Sequence, residues 1–289
     1  MVKISFIIVT YNSELLIEDC LSSIYKFADL PTEQFEVIIV DNSNAEGHRK
    51  LKNVLELLPY KPVVIHNSVN SGYGAGNNVG IRRAQGKTVA IMNPDVRIQS
   101  EIMRAVDEYF ETHKDAGILS FRQIGGKNLT FYSRPEHKIY FLDGLNTKRR
   151  NKLLRFSPEK DFISGAFFFA DRKKFIEIGM FDEYMFMYNE ESDIARRFLA
   201  SGYTQHLDPS HAYLHLIEAR PFNEKSFDSE LQTLKFYIRK HQLNESAIWR
   251  KYLWETWLKK KMAQILGRNA DVERFSKMIA LIKNCRSQK

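Results

Sequence analysis

Four short hydrophobic runs, separated by segments with helical spacing, constrain the fold of this chain more than any other feature. Each run is rich in β-branched residues and ends in polar ones, a pattern typical of buried parallel strands. Strands that alternate with helices predict an α/β fold with an open, mostly parallel sheet flanked by helices. The predicted strands span residues 4–9, 35–40, 63–65 and 88–92, and the predicted helices span residues 14–28, 48–58, 81–84 and 100–112.

The pattern is weaker in the middle of the chain. Residues 118–155 lack clear periodicity, so we expect a hairpin at Gly125 and Gly126 and a basic loop around residues 148–150. A strand and two short helices are predicted next, over residues 162–170, 171–178 and 194–201.

The positive charge lies at the C-terminal end. Residues 235–289 carry 14 Lys and Arg against 4 Asp and Glu, a net charge of +10, whereas the whole chain has a net charge of +8. This part of the chain is also mainly helical in pattern. We therefore expect one α/β domain over residues 1–222, separate from a basic helical C-terminal extension over residues 223–289.

The hydrophobic stretches are too short for a membrane-spanning protein. None approaches the roughly 20 residues of a transmembrane helix, and no small-residue cleavage site follows the first run. Cys20 and Cys285 lie at opposite ends of the chain, without the spacing of a disulfide scaffold or a zinc site. These features predict a cytoplasmic protein, with the inner face of the membrane as its only candidate membrane contact.

Polar side chains follow three of the predicted strands. They are Thr10, Tyr11 and Asn12 after the first, Asp41 after the second, and Asn93 and Asp95 around a proline after the fourth. Because ligands bind beyond the carboxyl ends of parallel strands, we expect one crevice here. Asp41 suits either a nucleobase or ribose contact or an Asx turn. Asp95 suits either a divalent cation or an ordinary turn.

The glycine-rich segment at residues 67–80 is expected to form a polar loop before the third helix. It could bring a helix N-terminus to an anion, or it could only allow close packing. Its spacing ends on Asn77 where a dinucleotide fingerprint needs glycine, and no Walker motif is present. A nicotinamide-dependent oxidoreductase is therefore the least favoured function.

A cluster of carboxylates occupies residues 190–193. Acids in the first turn of a helix are stabilised by the helix dipole and need no chemical role. The aromatic and Met-rich run before them, however, predicts a partly desolvated setting that raises carboxyl pKa values toward the range of a general base. Three histidines follow in one segment, each more often structural than a ligand, at His206, His211 and His215.

Together these motifs resemble the family 2 inverting glycosyltransferases, especially the rhamnosyltransferase-like branch. The resemblance covers residues 2–215 and implies a GT-A fold, a nucleotide-diphosphate sugar donor of the UDP, dTDP or GDP type, and a divalent cation, Mg²⁺ or Mn²⁺. The matching segments are SFIIVTYN at 5–12, VDNS at 40–43, NSGYGAGNNVGI at 70–81, MNPD at 92–95, SGA at 164–166 and FDEYMFMYNEESD at 181–193.

The resemblance also implies roles for individual residues. Glu191 matches the catalytic base, with Asp193 orienting the site, and Asp95 and His215 match the residues that hold the cation. The implied acceptor side is Ser164, Gly165 and Ala166, with the loop at residues 128–155. The implied nucleotide-sugar side is Thr10, Tyr11, Asn12, Asp41, Asn70, Asn77, Asn78, Asn93 and Asp95.

Three positions depart from the family pattern. Asn93 replaces the first Asp of the D-x-D motif, Asn77 stands where many members carry Arg, and Glu191 stands where many carry Asp. The last change keeps the chemistry of a carboxylate base. The change at Asn77 indicates a donor pocket that differs from the commonest UDP-specific pattern.

The predicted function is inverting transfer of a hexose or deoxyhexose, such as rhamnose, to a hydroxyl of a cell-surface glycan or lipid-linked saccharide. The alternative is a nucleotide-sugar-binding protein without transferase activity, which would bind a donor without turning it over. Arg134 and residues 148–150 suit either an acceptor phosphate or solvent.

The C-terminal extension has several candidate partners. Its Trp249, Trp254, Trp257 and residues 259–261 suit an anionic membrane surface, packing on the catalytic domain or a homodimer interface. No motif supports binding to nucleic acid.

Overall fold

The computed structural model describes residues 1–126, 129–138, 143–216 and 221–287. The strands are β1 Ile4–Thr10, β2 Phe35–Asp41, β3 Val63–His66, β4 Thr88–Met92, β5 Val96–Ile98, β6 Ala116–Ile124, β7 Phe131–Ser133, β8 Asp161–Ile163, β9 Phe167–Asp171 and β10 Thr204–His215. The helices are α1 Glu14–Lys26, α2 Ala45–Leu57, α3 Tyr73–Arg83, α4 Met103–Thr112, α5 Asp143–Lys152, α6 Arg172–Glu177, α7 Glu190–Ala200, α8 Glu224–Lys240, α9 Glu245–Ile265 and α10 Asn269–Ser287.

Within these ranges the main sheet has eight strands in the order β3-β2-β1-β4-β9-β6-β10-β5. The first four strands are parallel to one another, as the sequence predicts. Strand β9 runs antiparallel to both β4 and β6, and β5 runs antiparallel to β10, so the second half of the sheet is mixed. The short strands β7 and β8 form a separate ribbon. The expected open α/β sheet is confirmed, with parallel pairing concentrated in its first half.

The register of the parallel strands brings their polar ends together. Thr10 pairs with Asp41, and Asp41 pairs with His66. On the other side of β1, Ile8 pairs with Met92, the residue before Asn93. The predicted crevice at the carboxyl ends of the strands is therefore present.

Side chains of β1 alternate between two cores, one on each face of the sheet. Phe6 packs edge-on against Phe35 and Phe169 in one core, whereas Ile7 belongs to the other. All four side chains are buried. Burying each side chain of this size stabilises the fold by about 1.5–3 kcal/mol, which holds the strand ends in a fixed register.

The glycine-rich segment is a loop only over residues 67–72, whereas the prediction extended the loop to residue 80. Helix α3 begins at Tyr73, and a Cβ at Gly76 would lie 2.9 Å from Val9 Cγ1. A Cβ at Gly80 would collide with the side chain of Ile7. The low helix propensity of glycine is outweighed because its small size lets α3 pack directly on β1.

The middle of the chain is more regular than predicted. The expected hairpin at Gly125 and Gly126 is wrong, because β6 pairs with β9 and β10, whereas β7 pairs with β8. The basic residues 148–150 belong to helix α5 and not to a loop. Residues 162–170 form no single strand, because Ser164–Ala166 separates β8 from β9. Residues 128 and 139–142 of the expected acceptor loop lie outside the described part of the chain.

The C-terminal helices pack on the rest of the protein. Tyr237 of α8 donates a hydrogen bond to Glu136, and Phe236 stacks on Tyr184 at 4.3 Å between ring centroids. Trp249 is fully buried in the core that these helices share with Met185. Of the three alternatives for Trp249, the structure therefore favours packing within the protein over contact with a membrane. Among the helices of the described ranges, none is at once long enough and apolar enough to cross a bilayer.

Candidate functional site

Asp41 organises the first part of the crevice. Its Oδ1 accepts hydrogen bonds from Thr10 Oγ1 at 3.0 Å and from the Ser43 N–H and Oγ at 3.2 and 2.6 Å. Its Oδ2 lies 2.8 Å from His48 Nδ1. The carboxylate is fully buried and forms the Asx turn that the sequence offered as an alternative. It therefore shapes the pocket through its neighbours, while Tyr11 remains 56% exposed at the rim.

Two histidines beside Asp41 were missed by sequence reasoning. The rings of His48 and His66 stack at 3.9 Å and 7°, and His66 Nε2 lies 2.9 Å from the Ser43 carbonyl oxygen. Ligand atoms of Asp41, His48 and His66 lie within 4.8 Å of one another, close enough to hold a metal ion. The only signal in the sequence is the position of His66 at the end of β3.

The asparagines of the glycine-rich segment mainly stabilise helix α3. Asn70 Oδ1 accepts from the Gly72 N–H at 3.1 Å. The Asn78 side chain donates to the Phe181 carbonyl and accepts from the Phe181 N–H. Both polar atoms of this side chain therefore have partners within the protein. Asn77 donates to the Tyr73 carbonyl, and its buried Oδ1 has no hydrogen-bond partner among the described residues.

Asp95 and His215 meet at the opposite side of the crevice. His215 is 1% exposed, and its Nε2 lies 3.3 Å from Asp95 Oδ1 without hydrogen-bond geometry. Its Nδ1 lies 3.2 Å from Gln123 Oε1, which also accepts from the Tyr213 hydroxyl. In the tautomer with the proton on Nδ1, Gln123 Oε1 accepts its hydrogen bond and Nε2 presents a lone pair to Asp95. A buried lone pair facing a carboxylate fits a divalent cation held between them.

The two histidines that precede His215 on β10 lie away from Asp95. His206 contacts Tyr109 and His113, and His211 contacts Asp208 and Phe121. Of the three, the structure brings only His215 to Asp95.

Glu191 lies directly over Gly165. A Cβ at Gly165 would stand 2.9 Å from Glu191 Cδ, 3.0 Å from Cγ and closer still to Oε1. Burial raises the pKa of Glu191, and hydrogen bonds from the N–H groups of Glu191 and Gly165 offset part of this rise. The Tyr73 hydroxyl donates to the Gly165 carbonyl at 2.5 Å, so helix α3 fixes this segment from below.

The segment Ser164–Ala166 joins the two halves of the site. The Ala166 carbonyl accepts from the Asn93 N–H at 2.9 Å, which anchors the turn that carries Asp95. Ser164 and Ala166 are themselves buried, at 6% and 3% exposure. The predicted acceptor residues therefore lie beneath Glu191 and act through their backbone.

The neighbours of Glu191 in α7 have separate environments. Glu190 is 2% exposed, its Oε2 has no partner among the described residues, and burial raises its pKa well above the usual range. Asp193 is fully buried and accepts from Arg197, Lys240 and His241. Burial alone would raise the pKa of Asp193, but these three partners outweigh it and lower the pKa to about 2. The side chain of Asp193 therefore ties α7 to α8 rather than entering the crevice.

Two of the basic residues considered for the acceptor side already bind groups of the protein itself. Arg134 is buried and donates to the Glu159 carbonyl, and Arg150 pairs with Asp161. Neither is presented to an acceptor phosphate.

The aromatic and Met-rich run before α7 forms an exposed apolar lip, whereas the sequence predicted only that this run would desolvate the carboxylates. Its members, Tyr184, Phe186, Met187 and Tyr188, are between 36% and 74% exposed. Its backbone is fixed because the Phe186 carbonyl accepts from the Tyr73 N–H at 3.0 Å. Tyr188 and Asn189 have φ values of 76° and 67°, the left-handed region that non-glycine residues rarely occupy. Strained backbone beside buried carboxylates indicates a functional segment.

Comparison with known proteins identifies a family that matches most of the chain before α8. The family model of glycosyl transferase family 2 matches residues 5–193. A poly(ribitol-phosphate) β-glucosyltransferase of Bacillus spizizenii is 33% identical over 129 residues, which are 44% of this chain and 20% of that protein. The rhamnosyltransferase WbbL of Escherichia coli K12 is 23% identical over 245 residues, 78% of this chain and 91% of that protein. The chain thus matches about a fifth of the length of the first relative.

A solved structure has a similar fold. The mannosyltransferase PcManGT from Pyrobaculum calidifontis, in complex with GDP-Man and Mn²⁺, aligns with 98% of this chain and 85% of its own. The TM-score is 0.63 at 18% sequence identity. This likeness supports the GT-A fold.

Proposed function

Because this chain belongs to glycosyl transferase family 2, we propose that it is an inverting glycosyltransferase. Its reaction moves a hexose or deoxyhexose, with rhamnose as one candidate, from a nucleotide-diphosphate donor to a hydroxyl group. The observation that carries the proposal is the Ser164–Ala166 segment, which supports the Glu191 carboxylate and anchors the turn bearing Asp95. The proposed base and one proposed cation ligand are thereby both held in place by this segment.

Glu191 is the proposed general base. An acceptor hydroxyl has a pKa far above neutral, so it needs to lose its proton as it attacks the anomeric carbon. Burial raises the pKa of Glu191 and so increases its proton affinity, while the Gly165 N–H fixes its carboxylate. With base and leaving group on opposite faces of the sugar, one displacement inverts the anomeric centre.

Asp95 and His215 are the residues proposed to hold a divalent cation, Mg²⁺ or Mn²⁺. When bound, such a cation offsets negative charge on the departing diphosphate. Gln123 orients His215 so that Nε2 faces Asp95. The similar structure that contains GDP-Man and Mn²⁺ supports the choice of a divalent cation.

The nucleoside is proposed to lie at the end of β1 and β2. Tyr11 offers an exposed ring for stacking, and Asp41 holds Thr10 and Ser43 in place beneath it. His66 extends this surface from the end of β3. We propose a donor of the UDP, dTDP or GDP type.

The acceptor is proposed to be a cell-surface glycan or a lipid-linked saccharide. The lip at residues 184–188 leads into the first turn of α7 and offers exposed aromatic side chains, and sugar rings pack on aromatic faces through their C–H groups. The matched relatives support a polymeric or saccharide acceptor, since their names include poly(ribitol-phosphate) and rhamnosyl transfer.

The test is donor turnover by Glu191→Gln. Wild-type protein with Mn²⁺ is incubated with a panel of UDP-, dTDP- and GDP-sugars and a saccharide acceptor library, and release of the nucleoside diphosphate is measured. We expect the variant to bind the same donor with unchanged affinity and to lose at least a hundredfold in transfer. Full activity of the variant would refute the base assignment, and donor binding without turnover by the wild-type protein would refute the transferase.

A further inference from the structure

Helices α9 and α10 form a groove of about 570 Å³ that the transfer reaction does not use. Its apolar walls include Leu253, Trp254, Trp257 and Ile279, and its rim carries Arg250, Lys283 and Arg286. We call these lining residues the basic-aromatic groove. Both indoles are nearly half exposed, at 45% and 46%.

The spacing of the groove residues places them on single helix faces. Arg250, Trp254 and Trp257 recur at intervals of four and three residues along α9, and the same face continues to Lys261 and Ile265. Ile279, Lys283 and Arg286 repeat these intervals on α10. Two stripes that each combine cations with apolar side chains therefore lie side by side.

The cations of the groove are not neutralised by the protein. Within the described ranges, Arg250, Lys283 and Arg286 form no ion pair, although other cations of these helices do, such as Lys259 with Glu255 and Lys277 with Glu224. All three are exposed. Positive charge around half-exposed indoles suits an anionic partner with an apolar part.

We propose that the basic-aromatic groove is a docking site for the anionic phosphates and upper acyl chains of a lipid leaflet. Indole rings prefer the boundary between water and hydrocarbon, and Lys and Arg side chains extend from that boundary to phosphate. Ile265 and Leu266, 84% and 58% exposed at the end of α9, extend the same apolar surface. The helices lie on the membrane and do not span it.

The charge of the groove favours lipid over a second copy of the chain. In a symmetric dimer each patch meets itself. Arg250, Lys283 and Arg286 would then face their own copies without an acidic residue of the groove to pair with. An anionic lipid surface supplies the missing negative charge.

The test is flotation of the full-length protein with lipid vesicles. Vesicles of phosphatidylcholine alone are compared with vesicles in which a third of the lipid is phosphatidylglycerol. We expect binding only to the anionic vesicles. The triple variant R250Q/K283Q/R286Q should lose about a hundredfold in affinity, because each basic side chain at such a surface contributes about fivefold.

Two further variants distinguish binding through the groove from attraction due to the net charge of the protein. R49Q/K52Q/K173Q removes the same number of positive charges from exposed positions outside the C-terminal helices and should bind as the wild type does. W254A/W257A should bind more weakly and lose the fluorescence quenching that brominated lipids cause. Neither readout depends on sugar transfer.

Three results would overturn the proposal. One is failure of the wild-type protein to bind anionic vesicles, and another is equal loss in the two triple variants. The third is a dimer, detected by sedimentation velocity, that W254A/W257A dissociates while vesicle binding is unchanged.

Discussion

The substitution Gly165→Ala adds one methyl group beneath Glu191 and so tests whether Gly165 sets the position of the Glu191 carboxylate. The added Cβ would stand 2.9 Å from Glu191 Cδ, whereas ordinary contact begins at 3.4 Å. The Glu191 carboxylate oxygen is closer still, so it must retreat by about 1 Å, a misplacement that can lower a rate by about a hundredfold. The backbone at Gly165 needs no left-handed conformation, and the obstructing atoms end a flexible side chain. We therefore expect the loss of stability to stay below about 1 kcal/mol.

The assay compares turnover, donor affinity and melting temperature in one set of variants. Gly144→Ala is the matched control, because a Cβ at that position of α5 meets no atom within 4 Å. We expect Gly165→Ala to bind donor normally and to lose about a hundredfold in kcat, and Gly144→Ala to behave as the wild type does. Full turnover by Gly165→Ala, or loss of donor binding together with folding, would refute the reasoning.

Three further predictions concern the carboxylates of α7. Burial raises the pKa of Glu191, so kcat/KM should fall as the pH drops through a value above the ordinary Glu range; a pH–rate profile with its acidic limb at or below pH 4.5 would contradict this. The folded-state pKa of Glu190 is also raised, so ionised Glu190 destabilises the fold as pH rises through it. Glu190→Gln should therefore raise the Tm by about 2–4 °C at pH 8, with the gain shrinking toward pH 4, as measured by scanning calorimetry. Asp193→Asn leaves Lys240 and Arg197 without their carboxylate and should cost about 3 kcal/mol in urea unfolding at pH 7. Because the pKa of Asp193 is about 2 when folded, that cost should diminish as pH falls from about 4 toward 2.

The crevice was predictable because it follows from local patterns and one topological rule. Runs of β-branched residues reveal parallel strands, and polar residues after them converge at one edge of the sheet. Thr10, Asp41 and the turn of Asp95 are adjacent for this reason. The pairing of His215 with Asp95 came from family resemblance, because β5 and β10 are distant in sequence and join antiparallel.

The start of α3 and the role of Asp193 depend on contacts between distant parts of the chain, which local sequence patterns do not reveal. Helix α3 begins early because Gly76 and Gly80 fit against β1, a benefit that glycine's poor helix propensity hides. Asp193 looked like part of the site because it lies two residues after Glu191. Its partners Lys240 and His241 are nearly 50 positions away, at the C-terminal end of α8. Only the packing of α8 on α7 shows that this carboxylate is structural.

The most direct test of the central claim is calorimetric titration of UDP, dTDP and GDP into the protein, each with and without Mn²⁺. Wild type, Asp95→Ala and Glu191→Gln are compared. We predict that one nucleoside diphosphate binds, that its binding requires Mn²⁺, that Asp95→Ala abolishes it and that Glu191→Gln retains it. Absence of binding by all three nucleotides, or unchanged Mn²⁺-dependent binding in Asp95→Ala, would contradict the account.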